Sequence, residues 1–129
     1  NYCILSFDLN LLKKINDTYG HEKGDELIKR FADVLREVYS LYGLVARTGG
    51  DEFVAVLDNV SAEETEKLIS DMLGLMEQKN KEDAVLKLSA AYGYAMSDEI
   101  QDSNPHTIYK VADDRMYECK KKSKLGRND

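Results

Sequence analysis

Apolar and polar positions divide this chain into eight elements. Tyr2 to Asp8 (YCILSFD) is a short apolar run that ends on an acid and predicts a buried strand. A short helix is expected over Leu11 to Tyr19, closed by Gly20. From Asp25 to Tyr42, Leu27, Phe31, Val34, Val38 and Leu41 recur every three or four positions, joined by Ile28 and Leu35. They form one face of an amphipathic helix of about five turns, which Gly43 ends. Two strands, Leu44 to Arg47 and Glu52 to Leu57, flank Thr48-Gly49-Gly50-Asp51, a Gly-containing connection typical of a β-hairpin. Ser61 and Glu64 form a capping box that starts a helix running to about Gln78, with Leu68, Ile69, Met72, Leu75 and Met76 facing inward. Ala84 to Met96 contains another strand, in which Gly93 marks a bulge or a close backbone approach. Asn104-Pro105 supplies an N-cap and a first-turn proline for a last helix carrying Ile108, Val111, Ala112 and Met116. The order is β-α-α-β-β-α-β-α, which predicts an α+β fold with helices packed on a mainly antiparallel central sheet.

No repeat or linker interrupts the pattern, so residues 1–129 are expected to form one domain around one core. No apolar run approaches the roughly 20 residues of a membrane span, and Asn1 to Asp8 lacks the basic start of a signal peptide. A cytoplasmic domain without membrane contact is expected, whether or not the whole protein is anchored or multidomain. Cys3 and Cys119 lie in unrelated patterns and read as reduced, buried thiols. The net charge of −6 argues against nucleic-acid binding, which favours a basic surface. It is compatible with a nucleotide triphosphate whose charge is met by metal ions and local cations. Such cations cluster late, at Lys120, Lys121, Lys122, Lys124 and Arg127.

Four groups of residues carry candidate chemistry. Asp8, at the end of a buried strand, is costly unless it is paired or binds a cation; capping the helix that begins near Leu11 would serve equally well. Asp51 and Glu52 follow two glycines at the hairpin tip. The glycines permit φ > 0 and close approach of a ligand, and a divalent cation would relieve the repulsion between the adjacent acids. A solvent-exposed type I′ turn accounts for the same residues without any ligand. Acids on neighbouring strand ends could, however, hold two Mg²⁺ ions as nucleotidyl-transfer sites do. Asn16 and Asp25 could read a purine, since a carboxylate accepts from guanine N1–H and the N2 amino group but faces an acceptor at adenine N1. Asp25 also suits the N-cap or first turn of the long helix. His21 reads as a turn residue, having no second ligand at metal spacing, and His106 carries no functional signal. Lys120 and Arg127 are candidates for phosphate neutralisation, whereas Lys121 and Lys122 read as solvated lysines near a helix C-terminus.

Together these segments resemble the GGDEF family of diguanylate cyclases over nearly the whole chain. Phe7-Asp8-Leu9-Asn10-Leu11-Leu12-Lys13-Lys14-Ile15-Asn16-Asp17 is similar to the family's first-strand motif, followed by Tyr19-Gly20-His21 and Gly24-Asp25. Arg47-Thr48-Gly49-Gly50-Asp51-Glu52-Phe53 contains the signature loop. Tyr92-Gly93-Tyr94-Ala95 is similar to a late strand, and Ala112-Asp113, Met116-Tyr117 and Gly126-Arg127-Asn128 to the final helix and its exit. The resemblance implies a ferredoxin-like palm that condenses two GTP into cyclic di-GMP and two pyrophosphates in a transient homodimer. It implies two Mg²⁺ or Mn²⁺ per active site, held by Asp8, the Leu9 carbonyl and Asp51, with Glu52 assisting metal binding or deprotonation of the 3′-OH. It places guanine on Asn16 and Asp25 with His21 nearby, and the triphosphate on Lys13, the amides around Leu11 and Leu12, Lys120 and Arg127. A regulatory domain in the same full-length protein would bring two copies together.

The chain departs from the family pattern at four places. Asn10 replaces a second acid and Leu12 a common Phe. The lysine-rich stretch after Tyr117 is about two residues longer than usual, so Lys120 or Lys124 could meet the phosphate. The family's usual first helix, with its Asp-x-Leu-Thr turn, is absent from this sequence. Many members carry an inhibitory Arg-x-x-Asp where this chain has Ser40-Leu41-Tyr42-Gly43, so no product-inhibition site is expected. A catalytically weak member that binds GTP or a protein and only regulates is the alternative, opposed by the intact Asp8, Asp25, Asp51 and Glu52. A cyclase making a mixed adenine–guanine product is opposed by Asp25. Added cyclic di-GMP is therefore predicted not to inhibit through residues 40–43; inhibition that disappears when those residues are changed contradicts this.

Overall fold

A computed structural model describes residues 1–102 and 104–125. The elements are β1 (Tyr2–Leu9), α1 (Leu12–Tyr19), α2 (His21–Tyr39), β2 (Gly43–Arg47), β3 (Glu52–Asp58), α3 (Ala62–Glu82), β4 (Ala90–Met96) and α4 (Pro105–Leu125), in the expected order. The four strands form one sheet in the order β2-β3-β1-β4 with every pairing antiparallel, the ferredoxin-like α+β arrangement.

β1 runs through the middle, and its period-2 alternation sends its residues to two faces. Cys3, Leu5, Phe7 and Leu9 enter the main core with Phe53, Ala55 and Leu57 of β3, under α2 and α3. Aromatic contacts tie this layer: Phe31 meets Phe7 at 6.2 Å and Phe53 at 5.1 Å, both edge-on. Ile4 instead joins Ala95, Ile108 and Ala112 beneath α4. Ser6 and Asp8 share that second face by parity, so the sheet delivers a carboxylate to α4.

The helix ends differ from expectation in informative ways. α2 starts at His21, four residues before Asp25, and ends at Tyr39 rather than Tyr42. Tyr39 takes the last core position, 5.7 Å from Phe7, while Leu41 is 91% exposed in the turn that follows. Gly43 opens β2 rather than ending the helix; a Cβ there would lie 1.9 Å from the Val56 carbonyl oxygen, so β3 requires glycine. The Ser61–Glu64 capping box forms with both reciprocal bonds, and α3 runs on to Glu82. Asn104 caps α4 through its Oδ1, which accepts from the His106 amide. Both cysteines are free; Cys3 is buried, which pushes its thiol up to about 11, but Cys119 is only half-buried. Among the described residues no helix is long and apolar enough to cross a membrane.

Gly93 marks a close approach and not a bulge. Its strand keeps unbroken register with β1, from Cys3 opposite Met96 to Leu9 opposite Ala90. A Cβ on Gly93 would stand 2.3 Å from the Met116 nitrogen and 2.7 Å from the Ala112 carbonyl oxygen. Both are backbone atoms, so only movement of α4 would relieve the clash. Gly93→Ala is predicted to destabilise the fold by about 2–3 kcal/mol, the upper range for overpacking, in chemical denaturation; a change below about 0.5 kcal/mol would show that α4 is not seated on this strand.

Candidate functional site

The signature loop is held by a residue that precedes it. Arg47, the last residue of β2, donates from Nε to the carbonyl oxygens of Gly49 and Gly50 and from Nη2 to Gly50, at 2.9–3.1 Å. The amides of Thr48 and Gly49 both reach the Glu52 carbonyl oxygen. Neither loop glycine has positive φ; among described glycines only Gly20 does. The connection is therefore not a type I′ turn, which needs φ > 0 at both central residues. A Cβ on Gly50 would meet nothing within 4 Å, so the protein's own packing does not demand glycine there. The open space suits a ligand that comes close to the backbone.

β1 and β3 then bring the acids together. Asp8 faces Glu52 across the antiparallel pair, and the Leu9 amide bonds the Asp51 carbonyl oxygen at 2.7 Å. Carboxylate oxygens of Asp8, Asp51 and Glu52 lie within 4.8 Å of one another. Asp8 is buried; its Oδ2 accepts from Lys120 Nζ at 2.7 Å, while Oδ1 has no hydrogen-bond partner. Asp8 does not cap α1, whose N-cap is Leu11. Burial raises the Asp8 carboxyl above its ordinary value and Asp51 adds to this, with Lys120 acting in opposition. Burial also raises Glu52, helped by Asp113, Asp8 and Asp51. Three acids, one orphaned buried oxygen and all-oxygen donors fit a hard divalent cation.

Beside these acids opens a cavity of about 660 Å³, lined by Asp51, Lys120, Lys13 and the residues from Leu9 to Leu12. Leu11 has φ 70°, a left-handed conformation rare outside glycine, and it caps α1 without a side-chain bond. The first amides of α1 are thus left for another acceptor. Such strain in a non-glycine residue at a helix start is costly, and is often found at ligand sites.

The guanine candidates sit on α1 and α2. The Asn16 side chain lies against Gly24, where a Cβ would stand 1.7 Å from Asn16 Oδ1, and that oxygen is buried without a partner. Asp25 is exposed and lines a separate groove of about 470 Å³ with Arg47 and Phe53. It is the fifth residue of α2, whose N-cap is Gly20, so it is neither N-cap nor first-turn acid. His21 is exposed as the first residue of α2 rather than a turn residue. Lys121 is exposed, 3.7 Å from Glu118. Arg127 lies outside the described residues, as does the side chain of Lys124. Asn10 is occupied structurally: its amide bonds the Ser89 carbonyl oxygen and its Nδ2 the Ser89 hydroxyl.

Sequence reasoning missed two supports. The buried Ser6 hydroxyl donates to Asp113 at 2.8 Å, which places a fourth acid near Glu52. Ser6 at the same strand parity as Asp8 was the available signal. The signal at Arg47 is an arginine two residues before a glycine pair, within reach of their carbonyls.

The family model described as the diguanylate cyclase GGDEF domain matches residues 1–126. The chain belongs to the GGDEF family. Among curated relatives, the GGDEF chain is 33% identical to a probable diguanylate cyclase, DgcT, of Escherichia coli K12, over 98% of this chain and 28% of that protein. An uncharacterized membrane protein of Staphylococcus saprophyticus is 30% identical over 97% of this chain and 35% of its own length. The chain thus spans about a third of these relatives. Among solved structures, the active GGEEF domain of a Vibrio cholerae diguanylate cyclase superposes with TM-score 0.81 at 26% identity, over 94% of this chain and 77% of that one. The GGDEF domain of TpbB (YfiN) from Pseudomonas aeruginosa gives 0.84 at 28%, over 94% and 72%.

The clustered acids set a pH dependence in the metal-free protein. Asp8 and Glu52 have folded values above their ordinary ones, so the folded state holds protons that the unfolded state releases. Stability then falls as pH rises from about 4 through those raised values. With chelator present, Asp51→Asn is predicted to melt about 2–4 °C above the parent at pH 7, as expected for about 1 kcal/mol, and at the same temperature near pH 3.5. Mg²⁺ should raise the parent's melting temperature and leave that of Asp51→Asn nearly unchanged. An equal Mg²⁺ shift in both proteins contradicts a metal at this cluster.

Proposed function

We propose that this GGDEF domain is a diguanylate cyclase that condenses two GTP into cyclic di-GMP and two pyrophosphates. The observation that carries the reading is the Asp8–Asp51–Glu52 cluster, with the buried Asp8 Oδ1 unpartnered, beside a cavity lined by Lys13, Lys120 and the residues that lead into α1. Asp8, Asp51 and the Leu9 carbonyl would hold two divalent cations, Mg²⁺ or Mn²⁺, with Glu52 beside them. Such ions supply charge neutralisation at the phosphates and a more acidic 3′-hydroxyl.

The chain's own residues do the remaining work. Amides at the start of α1, with Lys13 and Lys120, take the negative charge of the triphosphate and of the departing pyrophosphate. Glu52, opposite Asp8 across the β1–β3 pair, would assist in holding the metals or accept the proton of the attacking 3′-OH. Asn16 and Asp25 would hold the guanine with His21 nearby, the Asp25 carboxylate accepting from N1–H and the N2 amino group. Arg47 fixes the loop so that Asp51 and Glu52 need not reorganise as charge develops. The two phosphodiester bonds of the product are equivalent, so a two-fold pair of domains, each presenting one GTP, performs both reactions by symmetry. A regulatory domain elsewhere in the full-length protein would control that pairing.

The test is incubation with GTP and Mg²⁺ at high protein concentration, with products resolved by chromatography. The linear intermediate pppGpG and cyclic di-GMP are expected, with a rate that rises faster than linearly in protein. Asp51→Ala should lower turnover at least 100-fold. GTP binding with no product would overturn the reading and leave a regulatory domain.

A further inference from the structure

Lys120 stands where two anionic systems meet. Its Nζ lies 2.7 Å from Asp8 Oδ2, and the two side chains are 28% and 4% exposed. The same residue lines the cavity of about 660 Å³ together with Asp51 and Lys13. A metal ion alone would thus approach a carboxylate that already holds a cation.

We propose that Lys120 is a resident counter-cation of the metal-free site, and that its transfer to a polyphosphate couples nucleotide binding to metal binding. This rests on the reading of the site given above. The backbone of α4 cannot supply the movement, because Gly93 and the helix backbone are in contact at Met116. The four-carbon lysine stem can, since its ammonium is a compact donor on rotatable bonds. When phosphates enter the cavity, the ammonium gains a new acceptor and leaves Asp8 Oδ2 free beside the unpartnered Oδ1. Metal and nucleotide then favour one another reciprocally, beyond any direct contact between them. The carboxylate is never left without a cation: it is paired in the empty protein and paired again in the loaded one. A lysine that only contacts phosphate, or only supports the helix, has no such consequence for the metal.

The experiment measures Mn²⁺ binding by the electron paramagnetic resonance of free Mn²⁺, without nucleotide, and binding of a non-hydrolysable GTP analogue in chelator. The parent is compared with Lys120→Met, Lys120→Gln and Lys121→Met. Both Lys120 variants should bind Mn²⁺ roughly tenfold more tightly than the parent, within the usual range of coupling energies. Both should bind the analogue more weakly. Lys121→Met, which removes the same charge from an exposed position, should match the parent in both measurements. Unchanged or weaker Mn²⁺ binding in folded Lys120→Gln overturns the proposal, as does equal tightening in Lys121→Met. If the tightening is seen while GTP is never turned over, the coupling stands and the cyclase reading falls. If GTP is turned over but Mn²⁺ affinity does not respond to Lys120, the coupling alone falls.

Discussion

One buried carboxylate constrains the rest of this domain. Asp8 sits at the end of the central strand, on the face that α4 covers, where an ionised group is stable only if something positive reaches it. Everything around it answers that requirement. β3 brings Glu52 opposite, the Leu9–Asp51 hydrogen bond fixes the loop beside it, and α4 delivers Lys120. Gly93 allows α4 to lie directly on β4, which sets how far along the helix the lysine emerges. Packing and electrostatics are thus the same problem here. A tighter helix–sheet seam places a charge that the sheet itself could not supply.

The acids are arranged for binding more than for stability. Burial and mutual repulsion raise the proton affinity of Asp8 and Glu52, and one oxygen of Asp8 has no partner. A protein selected only for its fold would replace such a cluster with apolar residues at little cost. Leu11 adds backbone strain at the neighbouring helix start, and Gly50 faces open space. Each of these features is unfavourable in isolation and becomes intelligible with a cation and a polyphosphate present. They converge on one end of the sheet, on either side of Asp8.

Much of this was legible in the sequence, because the helices carry regular apolar faces and several boundaries are chemically marked. The Ser61–Glu64 box and Asn104-Pro105 start helices by local bonds that no tertiary contact needs to assist. The helix ends chosen by packing were harder. Leu41 continues the apolar period of α2, yet the chain turns after Tyr39, whose larger ring fills the place beside Phe7. The modest structural roles open to Asp8, Asp25 and the glycine pair failed for geometric reasons. Leu11 and Gly20 are the N-caps, and neither Gly49 nor Gly50 has positive φ. Such facts depend on backbone angles that residue type does not dictate. The Ser6–Asp113 bond joins residues far apart in the chain, so only the fold reveals it.

Asp8, Asp51 and Glu52 are proposed as a divalent-metal site beside a nucleotide cavity. Anomalous diffraction from crystals soaked in Mn²⁺ and a non-hydrolysable GTP analogue tests it most directly. Mn²⁺ peaks are expected in contact with Asp8 and Asp51, with the analogue's phosphates in the cavity lined by Lys13 and Lys120. Mn²⁺ bound elsewhere with this cluster empty, or phosphates lying outside that cavity, would contradict it.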